Sequence, residues 1–286
     1  IFRSKIYFEV RDLWPLSLVE IAGINPRHPI VWMLSKIEYL AYRCSDKVIS
    51  LLPGALEHMA ARGLSVDKFI YAPNGFSLGV AASQVITHPL ISDLQIFRKN
   101  GDFVYFYAGA LGEPNAMHKF LDALDYLPEP QTRKLRFVIV GKGEQAEALQ
   151  RRCIERSFDF VSFYEQVDKA VIFEALKCVD AGFFVMHDLP IYRFGVSLNK
   201  LYDYMALGVP VVGAYRAFND PLVEGDCGVS VAPDCPEELA VAFSALSLCD
   251  QDVLRAMGQR GQAYLAANFE YAAIAKKILA NAERLG

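Results

Sequence analysis

The sixteen residues from Ser197 to Val212, SLNKLYDYMALGVPVV, constrain this chain more than any others. A helical pattern from Asn199 to Leu207 is closed by Gly208 and leads at once into an apolar strand, Val209 to Ala214. A helix that hands over so abruptly to an all-apolar strand belongs to a parallel sheet covered on both faces. The helix also opens on an amide (Asn199), a cation (Lys200) and, one turn on, a carboxylate (Asp203). Its first backbone N–H groups lack intrahelical partners, so it is built to meet an anion at a sheet edge.

The same alternation runs along the chain. Strand patterns at Lys5–Val10, Lys47–Leu51 and Phe69–Ala72 flank a long helical pattern over Pro29–Cys44 and a helix opened by Pro53 and ended near Gly63. Ile37, Leu40, Ala41 and Cys44 fall on one side of the long helix. After Pro73-Asn74-Gly75 the character changes, and residues 79–101 read as a linker region. A second series starts at Asp102–Gly109. Strands at Leu135–Val140, Phe160–Phe163, Ala181–Met186 and Gly228–Val231 alternate there with helices at Glu144–Glu155, Lys169–Lys177, Asn199–Leu207 and Pro236–Leu248. A last helix spans Tyr271–Leu285. The expected fold class is α/β, with two doubly wound Rossmann-like domains and a cleft between them. The boundaries are 1–78, linker 79–101, 102–268, and a terminal helix at 269–286 returning to the first domain. The chain starts inside what reads as a buried strand, so the first domain is expected to be incomplete, with an upstream portion missing.

Composition narrows the function. Of 286 residues, 53% are hydrophobic, which supports a real core, and the net charge of −4 argues against nucleic acid as the main partner. No apolar run of about 18 residues is present, so no transmembrane helix is expected. Six cysteines (44, 153, 178, 227, 235, 249) form no CxxC pair and read as reduced thiols of a cytoplasmic protein. The five histidines show no zinc spacing, and no metal site is expected.

Several segments are candidates for chemistry. Ser197 and Asn199 can cap their helix or donate to a phosphate, with Leu198 between them and Lys200 adding full charge. Asp203 can take ribose hydroxyls one turn away; the same spacing also suits an ordinary capped helix with a solvated lysine. Gly141-Lys142-Gly143 after a strand, and Gly109 to Gly112 after another, permit close approach of a ligand or make plain βα turns. The loop after Phe163, with Glu165 and Val167, could face a flat base. His187-Asp188 and Arg193 could line a sugar pocket or a wet loop, and Glu9, Arg11 and Asp12 could hold a substrate.

Taken in order, FEVRDLWP (8–15), IEYLAYRCSDKVI (37–49), Pro73-Asn74-Gly75, VGKG (140–143) and Ser197–Val212 resemble the retaining glycosyltransferases of the two-domain GT-B fold. They are most similar to the bacterial enzymes of surface polysaccharide synthesis (lipopolysaccharide, O-antigen, capsule), including the fucosamine-like aminosugar transferases. The resemblance implies a nucleoside-diphosphate sugar as donor, a UDP-sugar foremost, and no permanently bound cofactor. Lys200 would be catalytic at the diphosphate, with Lys142 a weaker candidate. Gly109, Gly112, Gly141, Ser197, Leu198 and Asn199 would line the donor site, Asp203 would meet the ribose, and Glu165 and Val167 the base. The first domain would take a lipid-linked saccharide, with peripheral association at the inner membrane.

Two departures stand out. Relatives carry a glutamate eight residues before the ribose carboxylate, where this chain has Gly195. They also carry an arginine and a lysine after the first strand of the donor domain, where Glu113–Lys119 offers only Lys119. The glycine-rich loop and histidine found near the start of relatives are not in this sequence. An epimerase of UDP-aminosugars with the same architecture, and a nucleotide-binding assembly protein without turnover, are the rival expectations.

Overall fold

The structure, a computed structural model, describes residues 4–77, 86–128 and 134–283. Its elements run in chain order as follows. The first half holds β1 (Tyr7–Val10), α1 (Leu16–Glu20), α2 (Pro29–Cys44), β2 (Lys47–Ser50), α3 (Leu56–Ala61) and β3 (Phe69–Tyr71). The second opens with α4 (Pro89–Lys99), β4 (Phe103–Ala108), α5 (Met117–Leu124), β5 (Leu135–Val140), α6 (Ala146–Glu155), β6 (Val161–Tyr164), α7 (Lys169–Leu176) and β7 (Ala181–Val185). It continues with α8 (Asn199–Ala206), β8 (Val211–Ala214), α9 (Pro221–Glu224), β9 (Gly228–Val231), α10 (Pro236–Ser247), α11 (Gln251–Phe269) and α12 (Tyr271–Glu283).

All of these strands pair in parallel, as crossover helices require. The first sheet has the order β1-β2-β3 and the second β6-β5-β4-β7-β8-β9. In the second sheet the winding reverses between β4 and β7. Ligands of open α/β sheets bind outside the carboxyl ends of strands at such a reversal. Alternate residues of β4 feed two cores: Val104 and Phe106 one face, Phe103, Tyr105 and Tyr107 the other. Helices α4, α7, α8 and α11 cover the first face, and α5, α6 and α10 the second. The α/β, GT-B-like architecture is thus present, with parallel sheets in two Rossmann-like halves.

Three details differ from the sequence expectation. Ile6, Tyr7 and Phe8 are not buried; Ile6 is 54% exposed and only Val10 of β1 is inside. This strand pairs with β2 on one side and with no other strand among the described residues. In α2 the apolar stripe Ile37, Leu40 and Cys44 faces out, while Val31, Glu38 and Tyr42 face in. Glu38 is tolerated inside because the Tyr42 hydroxyl donates to its Oε1 at 3.1 Å, and a charged residue at a core position hides the true face from hydrophobic periodicity. In the stretch expected to be linker, α4 buries Leu90, Ile91 and Leu94 in the core of the second half, on the face of Val104 and Phe106. Residues 78–85 lie outside the described residues.

The halves are joined by a short 3₁₀ segment after β7, Pro190–Phe194. Its Ile191 and Phe194 complete the core of the first half, beside Val10, Leu13, Tyr42 and Met59. Arg193 makes a two-pronged pair with Glu20, both contacts 2.8 Å, so it braces the joint rather than lining a sugar pocket. At the far end the chain returns, Phe76 bridging to Glu270 and the Lys277 ammonium lying 4.8 Å from the Tyr71 ring centre. No helix among the described residues is long and apolar enough to cross a membrane.

Both tryptophans, Trp14 and Trp32, lie in the first half, so their fluorescence reports that half alone. Phe194→Ala removes a side chain that the second half lends to the first core. It should cost about 3 kcal/mol and separate the two readouts. In a urea titration the tryptophan transition should then precede the far-UV circular dichroism transition. Coincident, unshifted transitions would show that Phe194 does not couple the halves.

Candidate functional site

A cleft of about 460 Å³ opens where the winding of the second sheet reverses. Arg11, Asp12 and Leu13 after β1, and Leu51 and Leu52 after β2, form the wall from the first half. Met186 after β7, Asn115 after β4 and the run Gly195–Lys200 form the opposite wall.

Helix α8 is set there by its buried face, Leu201, Tyr202, Tyr204 and Met205. The Tyr204 hydroxyl accepts from the Ala108 N–H at 3.0 Å, tying the helix to the end of β4. Leu198 stands at the N-cap, and no side chain caps the helix. Ser197, a candidate cap, is used elsewhere: its Oγ accepts from the Asn74 N–H at 3.0 Å across the cleft floor. The first amides of α8 are therefore left to the cleft, beside the exposed Asn199.

Lys200 is half-buried at this point. Its ammonium donates to Asn115 Oδ1 at 2.7 Å and to the Tyr107 hydroxyl at 3.2 Å, and lies 4.5 Å from the Tyr107 ring centre. The Tyr107 hydroxyl in turn donates to the Ala110 carbonyl at 2.8 Å. No carboxylate pairs with Lys200 among the described residues. Burial pushes its pKa down to about 8. A cation that is desolvated and lacks a counter-ion is a site waiting for an anion.

The glycine turns have a tighter job than ligand approach. A Cβ on Gly109 would come within 3.1 Å of the Lys200 Nζ, so this position leaves the ammonium its room. A Cβ on Gly141 would fall 1.9 Å from the Gly109 carbonyl oxygen, so that glycine serves the packing of the two turns against each other. Gly112 lies against Glu144 rather than in the cleft wall.

Other candidates disperse. Lys142 is exposed and makes no ion pair among the described residues. Lys119 turns to Asp234 and lines a separate small pocket rather than the cleft. Asp203 lies one turn beyond Lys200, outside the cleft wall, where Lys169 pairs with it at 2.9 Å. Burial raises the Asp203 pKa, and its hydrogen bond and charge interaction with Lys169 oppose that rise. Glu165 is exposed and Val167 packs half-buried on the core, both beyond the cleft wall. His187 and Asp188 do not act together: His187 lies 2.8 Å from the Glu113 carbonyl oxygen, and Asp188 pairs with Arg216 at 2.5 Å. Gly195 lines the cleft and brings no carboxylate to it.

Sequence reasoning missed Tyr107 and Asn115. A tyrosine on an otherwise apolar central strand was the available signal, because a buried hydroxyl needs a partner. Asn115 had no comparable local mark.

Comparison with known proteins accords with this geometry. A family model described as "Glycosyl transferases group 1" matches residues 102–248. A search of curated proteins returns no match. Among solved structures, HepE of Anabaena in complex with UDP and glucose is similar at 18% identity and TM-score 0.72, covering 99% of this chain and 72% of that one. Sucrose-phosphate synthase of Thermosynechococcus elongatus is similar at 18% identity and TM-score 0.73, covering 99% and 68%. WaaG, a glycosyltransferase involved in lipopolysaccharide biosynthesis, is similar at 15% identity and TM-score 0.68, covering 94% and 73%. These likenesses show a shared fold.

The depressed lysine has a consequence for stability. Its folded pKa lies below the unfolded value, so the unfolded chain binds the extra proton and the charged lysine opposes folding below pH about 8, with relief as pH rises from there toward about 10.5. Lys200→Met should therefore raise the thermal midpoint at neutral pH and flatten its rise on the alkaline side. A lower midpoint at neutral pH would contradict the desolvated, unpaired state of this ammonium.

Proposed function

Because the chain belongs to the group 1 glycosyl transferases, we propose that it moves a sugar from a UDP-sugar to a hydroxyl of a saccharide in the cleft between its halves. The acceptor is a lipid-linked saccharide of bacterial surface polysaccharide synthesis, met at the inner face of the membrane. The anomeric configuration is retained. The observation that carries the donor assignment is the ammonium of Lys200, desolvated and without a carboxylate, at the uncapped start of α8. A nucleoside diphosphate supplies the missing counter-charge, and solved relatives of the same fold hold UDP or UDP-glucose.

The residues divide the work as follows. Lys200 and the free amides around Leu198 and Asn199 hold the diphosphate oxygens. As the bond from sugar to diphosphate breaks, negative charge grows on those oxygens, and donors already aimed at them lower the barrier without reorganising. Gly109 keeps space for the ammonium. Asp203 meets the ribose hydroxyls after exchanging part of its contact with Lys169, and the turn carrying Glu165 and Val167 faces the base. Lys142, on its exposed turn, comes second to Lys200 as a cation for the leaving group. The opposite wall, with Arg11 and Asp12, receives the acceptor hydroxyl.

Three measurements test this. Titration calorimetry with UDP should give an affinity that is full below pH about 8 and falls about tenfold per pH unit above it, with proton uptake on binding. The sign follows from the bound diphosphate favouring the charged lysine, which the free protein loses above that pH. Lys200→Met should lower turnover about 100-fold or more. NMR of the product should show the donor's own anomeric configuration. Inversion would remove the retaining mechanism, and release of an altered sugar from donor alone would point to an epimerase instead. A wild-type protein that ignores UDP would overturn the donor assignment.

A further inference from the structure

Lys200 meets two neutral oxygens where a buried cation more often meets a carboxylate, and the nearer oxygen belongs to Asn115. Asn115 ends the 3₁₀ turn Glu113–Asn115, whose first residue is clamped from three sides. His187 Nε2 lies 2.8 Å from the Glu113 carbonyl oxygen, the Glu113 N–H donates to Glu144 Oε1 at 3.3 Å, and the Gln145 amide donates to the Glu113 carboxylate. Directly after Asn115, the fully buried Ala116 sits in the left-handed region at φ 46°. That conformation is unfavourable for a residue with a Cβ and persists only where its surroundings impose it. Clamp and strain bracket a single side chain.

We infer that Asn115 is a positioning residue of the donor site, aiming the Lys200 ammonium into the cleft without neutralising it. The inference rests on the role proposed above for Lys200. An ammonium has three N–H donors. Asn115 Oδ1 takes one and the Tyr107 hydroxyl another, leaving the third for a phosphate oxygen. An aspartate at 115 would have nearly the same shape, but its charge would act as a permanent counter-ion and compete with the diphosphate. The amide orients the lysine and leaves its charge to the ligand. The other charged groups near the turn are engaged elsewhere: the Glu113 carboxylate with Gln145 and His187, Glu144 with the Glu113 N–H, and Lys119 with Asp234.

The test is UDP titration calorimetry on the full chain across the alkaline range, comparing wild type, Asn115→Asp, Asn115→Ala and Lys200→Met. At neutral pH both Asn115 variants should bind UDP about tenfold more weakly, the size of one charge-assisted hydrogen bond. Their pH limbs should then move in opposite directions. The aspartate holds the proton on Lys200 to higher pH, whereas loss of the acceptor lets it go at lower pH. A merely structural role would not split the two variants this way, and either folded variant alone reports its own direction. If both limbs stay at the wild-type position while Lys200→Met loses UDP, the assignment to Asn115 is overturned and that to Lys200 stands. If Lys200→Met binds UDP like wild type, the underlying role of Lys200 falls as well.

Discussion

The site depends on one unbalanced charge. An ammonium drawn out of water normally recruits a carboxylate, because the desolvation cost is otherwise uncompensated. Here the neighbours of Lys200 are an amide oxygen, a phenol and the edge of a glycine turn. The helix that carries it, α8, is fixed by a buried face and by the Tyr204 bond to β4, and the two oxygens hold the ammonium at the cleft. An ammonium held this way, without a counter-ion, gives up stability at one residue.

Much of that arrangement was legible in the sequence, and the illegible part has a common cause. Lys200, the start of α8 and the glycine turns announce themselves locally, through polarity at a helix start and through punctuation after strands. Tyr107 and Asn115 join them only because β4 lies beside β7 in the sheet, an adjacency that no local pattern encodes. Lys119 was the one cation that the stretch Glu113–Lys119 offered. It is four residues from Asn115, yet the left-handed turn at Ala116 and the first turn of α5 send it to Asp234 instead.

The fold shows the same division. The βαβ alternation predicted parallel sheets, and every described strand pair is parallel. Helix α4 escaped because Ser92, Asp93 and Gln95 interrupt its apolar residues; Asp93 is spent on the Tyr164 hydroxyl at 2.8 Å, pinning α4 to the end of β6. In α2, Glu38 occupies a core position that hydrophobic pattern matching must reject. The 19-residue α11 carries Gly258 and Gly261 on its buried side, where small residues allow close packing and weaken the helix signal.

The 3₁₀ segment after β7 belongs to two neighbourhoods at once. Ile191 and Phe194 are embedded in the first half, and three residues later Ser197 grips Asn74 before the chain turns into the amides that face the cleft. The contact between the halves and the cleft wall thus share one short tether. A rotation of one half against the other would pull on the entrance of α8, so hinge angle and the mouth of the cleft are mechanically coupled.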